Sequence, residues 1–305
     1  MFRKMILIVT ALSLILGACS SLTGSGSGPI NLTDGLGRAV TLSAPAQRVV
    51  SLAASNTEIL FAVGAGKQVV GRDEFSDYPV EAKDLPSVGG SMGVYSLEAI
   101  AALKPDLVFA AEINTPEQVK SLEDLGLTVY YLKNPATLEE MYGNLEIAAA
   151  LTGHSAEAAA LIDSLKARVQ AVDEKIMPLS YAPVVFYELD STDPAKPFTA
   201  GPGSFVDLLI ARAGGINVGA ALEGQWAQIG LEQLLVSNPK IILLGDAMWG
   251  TTPESVAMRP GWDSLQAVQD KSIFPFDDNL VSRPGPRLVD GLEALAKILH
   301  PDLFK

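Results

Sequence analysis

A chain of 305 residues leaves room for two domains, and with 48% apolar residues it carries material for sizeable cores. Its 35 acidic against 22 basic residues give a net charge of −13, which argues against a nucleic-acid partner, because that needs a basic footprint to displace counterions. The single cysteine, Cys19, excludes an intrachain disulfide and a thiolate metal cluster.

The N-terminus sets the compartment. Met1-Phe2-Arg3-Lys4 is a short basic start, Met5 to Leu16 is apolar, and Gly17 and Ala18 precede Cys19. That order reads as a secretory signal over residues 1–18; it is too short for a comfortable membrane span of about 20 apolar residues. Leu16-Gly17-Ala18-Cys19 resembles a bacterial lipobox, and the resemblance implies cleavage before Cys19 and acylation of that residue. Residues 19–30 then form a lipidated Cys and a Gly/Ser tether, SSLTGSGSGP over Ser20 to Pro29, with a flexible span of roughly 17 Å. The expected location is outside the cytoplasm, in the periplasm or on the outer face of the cytoplasmic membrane, held there by lipid.

From Arg48 short β-rich runs alternate with helical runs, the pattern of α/β architecture with parallel sheets. Arg48 to Leu52 reads as a strand. Ser55-Asn56-Thr57-Glu58 reads as a capping box opening a helix that stops at Gly64. Val69-Val70 is a short strand, Leu97 to Leu103 a helix ended by Lys104-Pro105, and Asp106 to Ala110 a nearly continuous apolar strand, as expected when both faces are covered. Thr115-Pro116 opens the next helix and Thr128 to Leu132 is a strand. Another capping box, Thr137 to Glu140, starts helix-favouring sequence that runs to Lys175 with a break at Gly153-His154-Ser155; Leu161, Leu165, Val169 and Val172 give it one apolar stripe. Val184 to Tyr187, Ile241 to Leu244 and Ile273-Phe274 are further strands. The expectation is two Rossmann-like α/β lobes, residues 31–136 and 179–305, joined by one long backbone helix over 137–178, with a ligand cleft between them. An internal echo supports similar lobes: Leu97 to Val108 aligns with Leu231 to Ile242, with Leu, Glu and Pro recurring in place before an apolar strand.

Catalytic patterns are sparse. Gly89-Gly90-Ser91-Met92-Gly93 matches the G-x-S-x-G elbow, which needs a buried strand before the Ser, and Asp84 to Val88 is a poor one. The chain has two histidines, and Ser91–Asp290–His300 has the chain order of a hydrolase triad. A secreted serine hydrolase therefore stands as one alternative, and an adhesion or structural lipoprotein as another. No His/Asp/Glu cluster suggests a metal site, and no resident cofactor is implied. What remains is a binding protein whose cleft is lined by loops at strand C-terminal ends. Phe75, Tyr78, Met92 and Tyr95 lie on such loops in the first half, with Ser55 beside them; Trp226, Trp249 and Arg283 lie in the second half. Aromatics supply large contact area at little rotamer cost.

Several motifs then match one family together: Asp34 to Val40 (DGLGRAV), Arg48 to Leu60, Ser76-Asp77-Tyr78-Pro79, Leu103 to Val108, Phe198 to Phe205, Pro260-Gly261-Trp262 and Ser282 to Arg287 (SRPGPR). As a set, over residues 31–305, they resemble the iron-siderophore and vitamin B12 solute-binding proteins of ABC importers. The resemblance implies a monomer of two lobes on one backbone helix, partnered by a membrane permease and its ATPase. It implies that Glu98 and Glu232, the acidic members of the echo, dock on permease arginines. It places ligand contacts at Phe75, Trp226 and Arg283, and an aromatic where this chain has Met92, with Tyr95 nearby. A bulky, amide-rich, net-neutral cobalamin or other corrinoid suits an aromatic and polar cleft without a basic cluster. A ferric siderophore would favour several cations, of which Arg283 is the clearest beside Arg72 and Arg287. Haem would want an axial ligand, for which Tyr95 or Tyr78 could serve.

Overall fold

The computed structural model describes residues 28–305; the expected signal peptide, Cys19 and most of the tether lie outside the described residues. A hairpin of β1 (Ile30–Thr33) and β2 (Ala39–Leu42) comes first. Its turn is closed by Asp34, whose Oδ1 accepts the Leu36 and Arg38 amides, and Gly35 ties it to the Tyr131 carbonyl at 2.8 Å. The first sheet follows, with β3 (Val49–Ser51), β4 (Val69–Arg72), β5 (Leu107–Ala111) and β6 (Val129–Leu132) in the order β4-β3-β5-β6, all parallel. The helices α1 (Ala54–Ala62), α2 (Leu97–Ala102) and α3 (Pro116–Asp124) complete this lobe. Thr115 caps α3 with the capping box expected of a Thr followed by Pro and then Gln118.

The helical middle differs from the expected single helix over 137–178. It is two helices, α4 (Leu138–Thr152) and α5 (Ser155–Ile176). Gly153 takes φ +84 at the expected break, a conformation glycine adopts without steric cost. The chain then folds back: Lys166 of α5 stands 5.3 Å from the ring of Tyr142 on α4. The α4 helix packs on α1 and so belongs to the first lobe, whereas α5, about 33 Å long, reaches the second. There Arg168 bonds Asp290 and Glu293, and Asp173 accepts two bonds from Arg212.

The second lobe centres on β7 (Val184–Asp190). Alongside lie β8 (Phe198–Ala200), β9 (Ile216–Asn217), β10 (Trp226–Gln228), β11 (Ile241–Leu244) and β12 (Ile273–Pro275). The strands β9, β7, β11 and β12 are parallel, while β8 pairs antiparallel with β7 and β10 antiparallel with β8. Trp226 therefore sits on an edge strand opposite Ala200, in a stretch where the sequence shows no strand pattern, because its pairing partner lies far upstream. The helices are α6 (Phe205–Arg212), α7 (Leu231–Ser237), α8 (Pro253–Ala257), α9 (Gln266–Gln269), α10 (Asn279–Ser282) and α11 (Leu288–Leu299).

Strand alternation sends side chains to opposite faces. Val49, Leu107 and Phe109 join Val185, Tyr187, Ile241 and Leu243 in one core that runs through α4, α5 and α11. Their alternates, Val50, Val108 and Ala110 in one lobe and Phe186, Ile242 and Leu244 in the other, fill two separate outer cores. The inner core is continuous from lobe to lobe, so it resists large relative motion.

Candidate functional site

Strand C-terminal ends of the first lobe face residues 282–284 of the second. A chamber of about 260 Å³ lies between them. On one side stand the turn after β3, Asp73 and Phe75 after β4, Tyr95, Ile113 after β5 and Asn134 after β6; Ser282, Arg283 and Pro284 face them. A second chamber of about 290 Å³ shares Asn134, Ser282 and Pro284 and extends to Phe205, Gln225 and Trp226. A third space, about 430 Å³, opens at the ends of β7 and β11 against Trp249, Asp190 and Asp246.

A polar scaffold holds the first-lobe wall. Ser55 and Glu58 do not form the expected capping box: Ala53 is the N-cap of α1 without a side-chain bond, and both residues lie inside the helix, buried. Asn56 donates to the carbonyls of Phe109 and Ala110 at 3.1 and 3.0 Å, which fixes the end of β5 to α1. Thr57 bonds Ser51 and Ser76 at 2.8 and 2.7 Å, and Ser76 donates to Asp73. Tyr95 donates to the Leu52 carbonyl at 2.8 Å, which sets its ring against the chamber. Burial raises the Asp73 carboxyl above its ordinary range.

Between the lobes lies an ionic node that motif reading did not assemble. Arg283 Nη1 binds Glu58 Oε1 at 3.0 Å and Asp77 Oδ1 at 2.7 Å, and its Nη2 reaches the Phe75 carbonyl at 3.4 Å. Arg287 binds the same Glu58 oxygen at 3.2 Å and Asp277 at 3.4 Å, with its guanidinium 4.2 Å from the Tyr78 ring. Glu58 is 2% exposed and its Oε2 has no partner. Burial lifts its carboxyl above the usual range, against the pull of both arginines. Asp77 goes the other way: its burial is outweighed by the Arg283 bond and charge, and its carboxyl falls. The signal was present in part, since Asp77 belongs to the Ser76–Pro79 motif and both arginines to Ser282–Arg287. Glu58 was hidden by its resemblance to a cap.

The remaining expected residues scatter. Phe75, Tyr95, Ser55 and Arg283 line the first chamber, Trp226 the second and Trp249 the third. Tyr78 turns away into a groove with Phe61, Leu161 and Arg287 behind the node, and Met92 is 95% exposed on a loop crest and lines none of these spaces. The Ser91–Asp290–His300 triad does not form. Asp290 and His300 stand at opposite ends of α11, about 15 Å apart along its axis, and Asp290 is held by Arg168 at 2.6 Å. Among the described residues no group of three His, Cys, Asp or Glu is arranged to hold a metal ion.

The echo extends to the backbone. Glu98 and Glu232 are exposed in the first turns of α2 and α7. The residues that end the two units before Pro105 and Pro239, Lys104 and Asn238, share a left-handed conformation at φ +47 and +40.

The sequence profile described as periplasmic binding protein matches residues 49–280. The uncharacterized ABC transporter substrate-binding lipoprotein YvrC of Bacillus subtilis is 33% identical, over 91% of this chain and 87% of its own length. Among solved structures, the periplasmic vitamin B12 binding protein BtuF of Vibrio cholerae superposes with a TM-score of 0.71 at 28% identity, covering 86% of this chain and 99% of that one. The periplasmic heme-binding protein RhuT from Roseiflexus sp. RS-1 gives 0.75 at 27% identity, covering 84% and 99%.

Proposed function

The chain belongs to the periplasmic binding protein family, and from that premise we propose that it is the substrate-binding lipoprotein of an ABC importer, capturing a cobalamin-like corrinoid between its lobes. The observation that carries the ligand class is the cleft itself. Phe75 and Tyr95 face it from one lobe and Trp226 from the other, while its most central cation, Arg283, is occupied by Glu58 and Asp77. Flat aromatic walls around an arginine that is already paired suit a large neutral macrocycle bearing amides, with Lys133 and Glu112 lining the second chamber beside Trp226. The similarity to the Vibrio cholerae B12 binder supports the same reading. Haem is the weaker cargo, because the Tyr95 hydroxyl is engaged with the Leu52 carbonyl and Tyr78 stacks under Arg287 outside the chamber.

The proposed division of the chain is signal peptide 1–18, acylated Cys19 with tether to residue 30, lobes 31–136 and 179–305, and the helical connection 137–178 in which α5 is the strut. Acylation would hold the protein to the membrane beside a permease and its ATPase. Glu98 and Glu232, exposed on equivalent helices, would meet permease cations; complementary charge at such a surface sets orientation and on-rate. Titration of the purified chain with cyanocobalamin, followed by tryptophan fluorescence, is the direct test. The expected result is one-to-one quenching, weakened about tenfold or more in Trp226→Ala, as for loss of an aromatic anchor. A chain that ignores cyanocobalamin and binds haemin would carry the haem reading instead.

A further inference from the structure

The charges around the first chamber are unevenly exposed. Asp73 and Arg283 are the charged residues of its lining. The Arg283 side chain is 14% exposed, and its guanidinium is turned onto Glu58, Asp77 and the Phe75 carbonyl. Arg287 is likewise committed, to Glu58 and Asp277. Between them the two arginines pair with three carboxylates, Glu58, Asp77 and Asp277. A ligand entering this chamber meets an arginine whose charge is already spent on protein partners. Of the two carboxylates bound to Arg283, Asp77 is the more accessible, its side chain 48% exposed against 1% for Glu58.

We propose that Asp77 and Glu58 set the charge selectivity of the cleft: by holding the guanidinium of Arg283 they favour uncharged chelates and turn away anionic ones of the same shape. This rests on the importer reading and deepens it, since it names the residues that separate a neutral cargo from an acidic one. Without them, Arg283 would present an unpaired guanidinium to the chamber, the group best suited to bind carboxylate or catecholate oxygens.

The experiment uses the full chain, extracted from membranes in detergent, and two pairs of probes at low ionic strength. One pair is cyanocobalamin and its monocarboxylic acid derivative. The other is a neutral ferric trihydroxamate and an anionic ferric triscatecholate. The native protein is expected to prefer the uncharged member of any pair it binds. Asp77→Asn should lower that preference about fivefold, the scale of one partly exposed ion pair. Adding Arg283→Gln should restore it, and salt should erase the Asp77→Asn effect by screening. Glu58→Gln provides a second variant that keeps side-chain volume. A native preference for the anionic member, or an unchanged ratio in both Asp77→Asn and Glu58→Gln, overturns the proposal. Binding of the iron pair alone sinks the corrinoid reading while the ratio within that pair still decides selectivity. Silence toward all four probes sinks both.

Discussion

Each lobe buries one glutamate against an arginine that stacks on an aromatic ring, yet the two arrangements do different work. In the second lobe Glu188, at the end of β7, takes both guanidinium nitrogens of Arg259 at 2.6 and 2.9 Å, and Arg259 lies 4.6 Å from the Trp262 ring. In the first lobe Glu58 offers one oxygen to Arg283 and Arg287, and Arg287 lies over Tyr78. The Glu188 pair is internal to its lobe and complete. The Glu58 pairs cross between lobes, leave Oε2 without a partner, and share their arginines with Asp77 and Asp277. One arrangement is a staple within a fold unit; the other joins two units beside the first chamber.

The comparison is sharpest when each glutamate is removed. Glu188→Ala strands Arg259, whose side chain is 9% exposed, and a buried pair broken from one side costs about 3–5 kcal/mol. Urea denaturation should show that loss, with no change in ligand selectivity. Glu58→Ala leaves both arginines with a second carboxylate, so the expected loss is smaller, about 1–3 kcal/mol. Unlike Glu188→Ala, it should also raise hydrogen exchange in the segments 75–78 and 283–287 that the node pins. Equal losses from the two variants, with equal exchange, would erase the distinction between staple and joint.

What the sequence made legible follows the range of the interactions. The parallel strands β3, β5, β6 and β11 announce themselves as continuous apolar runs because both their faces are buried, and α3 announces its cap with Thr115-Pro116. The β10 edge strand has no such run, since its pairing depends on β8 and half of its surface meets solvent. Ser55-x-x-Glu58 has the local form of a cap, but its Glu is claimed by arginines more than two hundred positions away, and short-range pattern carries no information about them. The fold-back at Gly153 was visible as a break, while its consequence was not, because a break does not say in which direction the chain resumes. Aromatic candidates divided in the same way: Phe75, Tyr95 and Trp226 reached the chambers, whereas Tyr78 was drawn off by Arg287.

The echo units offer a gentler comparison. Ser96 caps α2, its hydroxyl accepting the Ala99 amide at 3.2 Å, whereas the equivalent Gly230 gives α7 no side-chain cap. Ser96→Ala should therefore cost about 1 kcal/mol. Gly230 has φ −68 and open space where a Cβ would go, so Gly230→Ala should lie within about 0.5 kcal/mol of wild type. Denaturation midpoints of the two variants decide it; comparable losses would mean that the caps are not what separates the units.

The smallest effect separates the two carboxylates that share Arg283. Asp77 has its folded carboxyl below the ordinary 3.8, because Arg283 outweighs its burial. Its contribution is therefore present above that value and is lost as pH falls through the lowered one. Glu58 has its folded carboxyl above the ordinary 4.5, because burial outweighs both arginines. The folded state then holds the Glu58 proton more tightly than the unfolded chain, so this contribution is present below 4.5 and is lost as pH rises through the raised value. The stability difference between wild type and Asp77→Asn should rise with pH in the acid range, and the difference between wild type and Glu58→Gln should fall with pH above 4.5. Urea midpoints measured across about pH 3–7 read both slopes, the window in which shifted carboxylates titrate. Slopes of the same sign would mean that the node ionises as one unit, with the proton on Glu58 governed by the arginines and not by its burial.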